Sequence, residues 1–458
     1  MKKSLFAVAA LSAIAGAAQA QSSVTVYGIL DVGYIGENTK VLAPAVTSAT
    51  TVATPGITPA VVRSGSNGQL STTGNQFGAG AQQTNRLGFK GTEDLGGGAS
   101  AFFTIELGLT PQSEQTINTG ATQNRQTFVG LKKNGIGAAS IGTQYTPIHT
   151  AVGATDPGQQ NQVMGNVIYG AASGFDTKLA PVQTLANSTD NYTVRTNNML
   201  KLQSDRLAGF TVTGVLVANN TNSTQVSNTN STSSGVNAGT NTGYYGGLNN
   251  QSGWGLGVNY EWQKLLVTAN YQAFTSKNPI QDTWSYAAKN YSSSAANISS
   301  TITAVGAPVA WNQSSGGTNV QDNQGYVGAT YDFGILKAYA QWATRKVSSQ
   351  EISTNYVKRN AQQIGVRSFI TPTIEAWASA GNGRYNAYGA SSPTANFTGY
   401  QLGSNYWLSK RTNLYAIYGG FNTSTVTITN GGASGSGATN GNYSANANNY
   451  AIGVRHTF

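Results

Sequence analysis

Two histidines, His149 and His456, and a complete lack of cysteine bound the chemistry open to this 458-residue chain. Thiol catalysis and cysteine metal sites are excluded. His456 falls on the oily parity of the last ten residues, NYAIGVRHTF, while His149 lies in a loop with no nucleophile at telling spacing. A lipid-cleaving barrel would need a serine and a histidine in partnership, and nothing in the sequence joins them. Leu95-Gly96-Gly97-Gly98 follows an alternating segment but precedes no helix, so it is not a phosphate loop. No motif calls for a cofactor or a metal, and the chain is not read as an enzyme. What remains is fixed charge: 26 Lys and Arg against 16 Asp and Glu, a formal +10. These cations are scattered singly, as Arg86 and Lys90 are in NRLGFKG, which speaks against nucleic acid as a partner.

The N-terminus limits which elements can hold those charges. MKKSLFAVAALSAIAGAAQA carries two lysines, a short apolar run and the small-residue site Ala18-Gln19-Ala20. It reads as a cleaved secretory signal over residues 1–20, leaving 21–458 as one domain; losing Lys2 and Lys3 lowers +10 by two, to +8. No later segment supplies ~18 consecutive apolar residues, so an exported chain of this kind can enter a membrane only as a closed barrel. Composition agrees: 56 glycines, 23 tyrosines and 9% charged residues suit strands joined by polar loops, and 11 prolines are too few for Pro-rich disorder. Without disulfides, stability must come from the strand ladder itself.

Period-two alternation then recurs along the chain. SVTVYGILDVGY sets Val24, Val26, Leu30 and Val32 against Thr25, Tyr27 and Asp31; ASAFFTIELGL sets Phe103, Ile105 and Leu107 against Thr104 and Glu106. Sixteen such strands can be counted, with tight turns (Asn134-Gly135, WQK, DFG, TPT, SKRT) alternating with connections that often exceed twenty residues. The segments near 37–82, 219–251, 276–320 and 422–449 are rich in Asn, Ser, Thr, Gly and Ala and read as strand-free. That rhythm predicts an all-β, sixteen-stranded antiparallel transmembrane barrel, short turns toward the periplasm and long loops outside. A charge facing lipid near mid-bilayer costs roughly 2 to 4 kcal/mol, so lysines and arginines within strands should point into the lumen. Pairing of the last strand with the first would leave no free edge and set Phe458 and Tyr450 near the two interfaces.

The stretches QSSVTVYGILDVGY, NRLGFKGTEDLGGG, NRQTFVGL, YQLGSNYWLSKRTNLYA and the terminal IGVRHTF together resemble the Gram-negative trimeric general porins of the beta-proteobacterial type. The resemblance implies a homotrimer in the outer membrane among lipid and lipopolysaccharide, a third long loop folded into the pore, and an anion preference. Position by position it places Arg86, Arg125 and Lys201 on a basic wall at the constriction; the bland alternative for Arg86 and Arg125 is lumen lining paired with Asp31 or Glu106. Relatives carry Gly-Arg-Gln-Tyr-Asp on the fifth strand where this chain has Gly142-Thr143-Gln144-Tyr145-Thr146, which thins that wall. Asp156 and Asp176, in the inward-loop candidate, could oppose it, although Asp156-Pro157-Gly158 is also a turn signal. Lys90, Glu106, Arg359, Arg367 and Arg455 are expected to line the pore. The expected function is diffusion of small hydrophilic solutes and inorganic ions through a water-filled channel with a moderate anion preference. The alternatives are a substrate-specific uptake channel and an adhesive surface barrel.

Overall fold

Alternating segments become strands because each backbone amide and carbonyl must find a partner in a medium without water, and neighbouring strands provide it. The computed structural model describes residues 23–43, 68–111, 124–169, 191–227, 244–277, 319–349, 356–387, 394–428 and 441–458. The signal segment read over residues 1–20 lies outside them. In chain order the strands are β1 (Ser23–Ala43), β2 (Gly68–Ala79), β3 (Arg86–Gly96), β4 (Ala99–Gly108), β5 (Asn124–Lys133) and β6 (Gly137–Tyr145). One helix, α1 (Pro147–Thr155), precedes β7 (Arg195–Ser204), β8 (Phe210–Ser227), β9 (Tyr244–Trp262), β10 (Leu265–Lys277), β11 (Asn319–Asp332) and β12 (Lys337–Ser349). The wall continues through β13 (Tyr356–Phe369), β14 (Ile374–Ala387), β15 (Thr394–Trp407), β16 (Thr412–Thr423), β17 (Val426–Ile428) and β18 (Gly441–Thr457).

All pairings are antiparallel, and β1 pairs with β18 from Ile29↔Thr457 to Leu42↔Ser444, which closes the sheet into a barrel. Both β2 and β3 pair with the same edge of β1, and both β16 and β17 with the same edge of β18. The barrel therefore has sixteen wall positions, two of them interrupted. Parity sorts the faces as the sequence suggests: Val24 is 64% exposed, Trp254 49% and Ile452 60%, whereas Asp31, Gln272 and Gln401 are fully buried inside.

The strand-free expectation needs correcting at three places. Strand β1 runs on to Ala43 and meets β2 beyond the belt; β8 and β9 extend to Ser227↔Tyr244; and β18 begins at Gly441. Polar Asn, Ser and Thr read as loop by composition, but a ladder asks only for backbone groups. Between β2 and β3 the wall folds inward at residues 80–85. There the Asp31 carboxylate accepts from the amides of Gln82 (2.8 Å) and Gln83 (2.6 Å) and from the Tyr415 hydroxyl (2.6 Å).

Candidate pore constriction

The third long connection, between β6 and β7, turns into the barrel. Thr146 starts α1 by accepting from the His149 amide at 3.3 Å, with Pro147 following where no amide partner is needed. Ile148, Ala151 and Val152 then pack with Tyr192, Tyr326, Ala343 and Phe397 in an apolar cluster between loop and wall. Asp156 ends the helix. Its carboxylate accepts from the amides of Gly158 (3.3 Å) and Gln160 (2.6 Å) and from Asn166 Nδ2 (2.9 Å) and Gln363 Nε2 (3.4 Å). Burial pushes that carboxyl up to about 6 against the pull of these donors.

Past Asp156 the loop is docked by carboxamides from the far wall. Gln401 Nε2 donates to the carbonyls of Val163 (2.5 Å) and Met164 (3.0 Å), and Asn449 Oδ1 accepts from the Met164 amide (2.8 Å). Gln363 Oε1 accepts from the Val167 amide (3.0 Å), and Gln324 Oε1 from the Thr193 amide (2.8 Å). Close approach needs a bare backbone at one point: a Cβ on Gly419 would stand 1.8 Å from the Met164 oxygen. Two arginines, Arg359 and Arg367, add to this docking, and Arg345 pairs within the wall. Arg367 donates to the Pro157 carbonyl (2.7 Å) and pairs with Glu375, Arg359 donates to the Val167 carbonyl (2.5 Å) over the Phe397 ring, and Arg345 pairs with Asp322 at 2.6 Å. Arg455 lies over the Trp407 ring, 5.4 Å from its centre.

The opposite side is built differently. Arg125 Nε donates to Glu106 at 2.7 Å and its Nη2 to the Tyr145 hydroxyl at 2.7 Å; Arg86 stands 3.9 Å from the same carboxylate and is anchored on Thr84. The Tyr27 hydroxyl donates to Glu106 at 3.1 Å. Arg195 and Lys201 come from β7. Burial first, then the charges of Arg125, Arg195, Arg86 and Lys201, holds His149 in α1 down to about 3, so the ring is neutral. The exposed residues in the described part of the loop, Thr150, Gly153, Ala154 and Gln159, carry no charge. Among the described residues the arrangement sets the charges of these four cations against that of Glu106.

Arg86, Arg125 and Glu106 are thus brought together, Lys201 on β7 adds its charge at His149, and Arg359, Arg367 and Arg455 lie apart, tied to loop or wall. Lys90 is exposed, 5.5 Å over the Tyr27 ring, toward the rim of short turns. Asp156 is 2% exposed and occupied within the loop, so its charge does not confront the basic wall across open water. Asp176 lies outside the described residues. Asp31 pairs with the inward fold at 80–85, leaving Glu106 as the partner of Arg125. Two features escaped the sequence: Arg195, which sits before a bulge at Asn197-Asn198 where alternation breaks (Asn198 φ +52°), and the carboxamide belt.

A model of the Gram-negative porin family matches residues 7–426. Over 212 residues the chain is 31% identical to an outer membrane porin protein of Bordetella pertussis (46% of each chain). It is 29% identical to outer membrane porin protein 32 of Delftia acidovorans over 46% of this chain and 48% of that one. The chain spans about half the length of these curated relatives. Among solved structures, an anion-selective porin from Comamonas acidovorans superposes with a TM-score of 0.56 at 19% identity, covering 96% of this chain and all of that one. The trimer form of OmpT from Vibrio cholerae does so with 0.55 at 15%, covering 95% and 99%. At such identities the likeness concerns the fold. A closed sixteen-position barrel, a loop docked within it and a family model spanning most of the sequence lead to one conclusion: the chain belongs to the Gram-negative porin family of the outer membrane.

Proposed function

We propose that the protein is a passive, water-filled channel for small hydrophilic solutes and inorganic ions, moderately selective for anions, and that it works as a homotrimer. The observation that carries this is the pair of arginines gathered on one carboxylate, Arg125 at 2.7 Å and Arg86 at 3.9 Å from Glu106, with the charges of Arg195 and Lys201 adding to theirs at His149 in the helix of the inward loop. Fixed positive charge in a narrow aqueous passage walled by low-dielectric protein raises the local anion concentration and repels cations. Selection then follows from bore and charge, and no bond is made or broken. Support comes also from a structural neighbour described as anion-selective and another solved as a trimer. In a planar bilayer under a potassium chloride gradient, the reversal potential should favour chloride; one favouring potassium overturns the anion assignment, and negligible conductance overturns the channel.

A further inference from the structure

On the outside of the barrel, at the rim carrying the long loops, three cations stand together. Lys346 on β12 and Lys358 on β13 are direct cross-strand partners, and Arg384 on β14 is opposite Asn360, on the diagonal from Lys358. All three are exposed and share the outward parity of Trp342, Ile364 and Ala380, so they sit on the oily face just beyond its apolar belt. Beside them are neutral outward residues: Tyr356, over whose ring the Lys346 ammonium lies at 4.9 Å, and Thr344, Asn360, Gln362 and Asn382, two pairs of which hydrogen bond to each other (Thr344 to Asn360 at 2.6 Å, Gln362 to Asn382 at 2.8 Å). Like charges directly opposed on antiparallel strands repel. The short-turn rim is arranged otherwise: there Arg206 pairs with Glu261 at 2.7 Å and Lys132 approaches Asp205 at 4.0 Å. Even counting the one carboxylate of the connecting segment 350–355, Glu351, the patch keeps an excess of two positive charges.

We propose that Lys346, Lys358 and Arg384 form a binding site for the phosphate groups of an outer-leaflet lipid, whose acyl chains lie on the apolar belt beneath. Opposed cations at headgroup depth are relieved by an anion placed between them, and a lipid supplies that anion together with hydrocarbon for the surface below. The site rests on the barrel's place in the outer membrane and not on what its bore conducts.

Native mass spectrometry of the full-length protein in detergent, titrated with bis-phosphorylated lipid A, its dephosphorylated form and inorganic phosphate, tests this. The intact protein should hold phosphorylated lipid A at least tenfold more tightly than the other two. The triple variant K346Q/K358Q/R384Q should lose that preference while keeping its conductance and ion selectivity. A thermal readout gives an independent check: K346Q should raise the unfolding temperature in lipid-free detergent and lower it when lipid A is present. Equal retention of both lipid forms, equally strong capture of free phosphate, or an unaltered preference in the triple variant would overturn the site; a failure of the channel itself would register in conductance alone.

Discussion

Arg125 on β5 and Glu106 on β4 meet at 2.7 Å across adjacent strands, and this carboxylate is the counter-charge that Arg86 also approaches. Removing the acid should therefore change the field at the constriction more than removing any one base. Glu106→Gln is expected to increase the chloride-to-potassium permeability ratio and to lower the thermal stability of the barrel, since a buried ion pair that loses one partner strands the other. A permeability ratio that falls or stays fixed would count against a positive constriction.

The two sets of arginines predict different outcomes. Arg86→Gln with Arg125→Gln should shift the reversal potential toward potassium, and the shift should shrink with ionic strength, because screening reaches about 10 Å at 0.1 M. Arg359→Gln should change selectivity far less, since that guanidinium is engaged with the Val167 carbonyl and the Phe397 ring. Equal shifts from both would remove the distinction between constriction and lining.

Loop docking through Gln401 can be tested without touching charge. Gln401→Ala leaves the Val163 and Met164 carbonyls without donors, each lost neutral hydrogen bond being worth about 1 kcal/mol and each stranded buried carbonyl about 1 to 3 kcal/mol. Amide exchange over residues 161–168 should speed up by tenfold or more, by a similar factor in low and high salt, and single-channel current should become noisier. Gly419→Ala should act in the same direction by pushing on Met164.

Acid should act on the loop through two groups of opposite sign. His149 is held from 6.5 down to about 3, so the unfolded loop binds the extra proton between those values and docking weakens as pH falls through that range. Asp156 is raised from 3.8 to about 6, so the docked loop binds the extra proton there and docking strengthens as pH falls from about 6 to about 4. Exchange rates over 147–168 measured from pH 7 to 4 should therefore diverge: His149→Gln removes the acid weakening and makes the docked loop firmer in acid than the parent, and Asp156→Asn, neutral at every pH, removes the acid strengthening and docks firmer than the parent at pH 7. Superimposable pH profiles for all three proteins would refute the assignment.

How much of this was written in the sequence follows from what each residue type encodes. Val24, Trp254 and Ile452 face outward because parity in a strand is a local property, legible without knowing any partner. The cluster at Arg86, Arg125 and Glu106 could be approached because those residues sit on well-alternating segments, and the resemblance named two of them. Arg195 was hidden by the bulge at Asn197-Asn198, which shifts parity within one strand. Gln363, Gln401 and Asn449 were hidden for another reason: an inward carboxamide in a chain so rich in polar residues looks like ordinary lumen surface until the loop that it grips is in place. The role of Asp156 likewise depends on Asn166 and Gln363, ten and 207 positions away, which no local pattern connects.

The carboxamides of Gln324, Gln363, Gln401 and Asn449 neither titrate nor attract counterions. A protein at the face of a cell meets whatever acidity and salinity the surroundings impose, with no cytoplasm to buffer them. Fastening residues 161–168 and Thr193 with groups indifferent to both leaves the partition's answer to acid to His149 and Asp156, and its answer to salt to the guanidinium groups of Arg359 and Arg367.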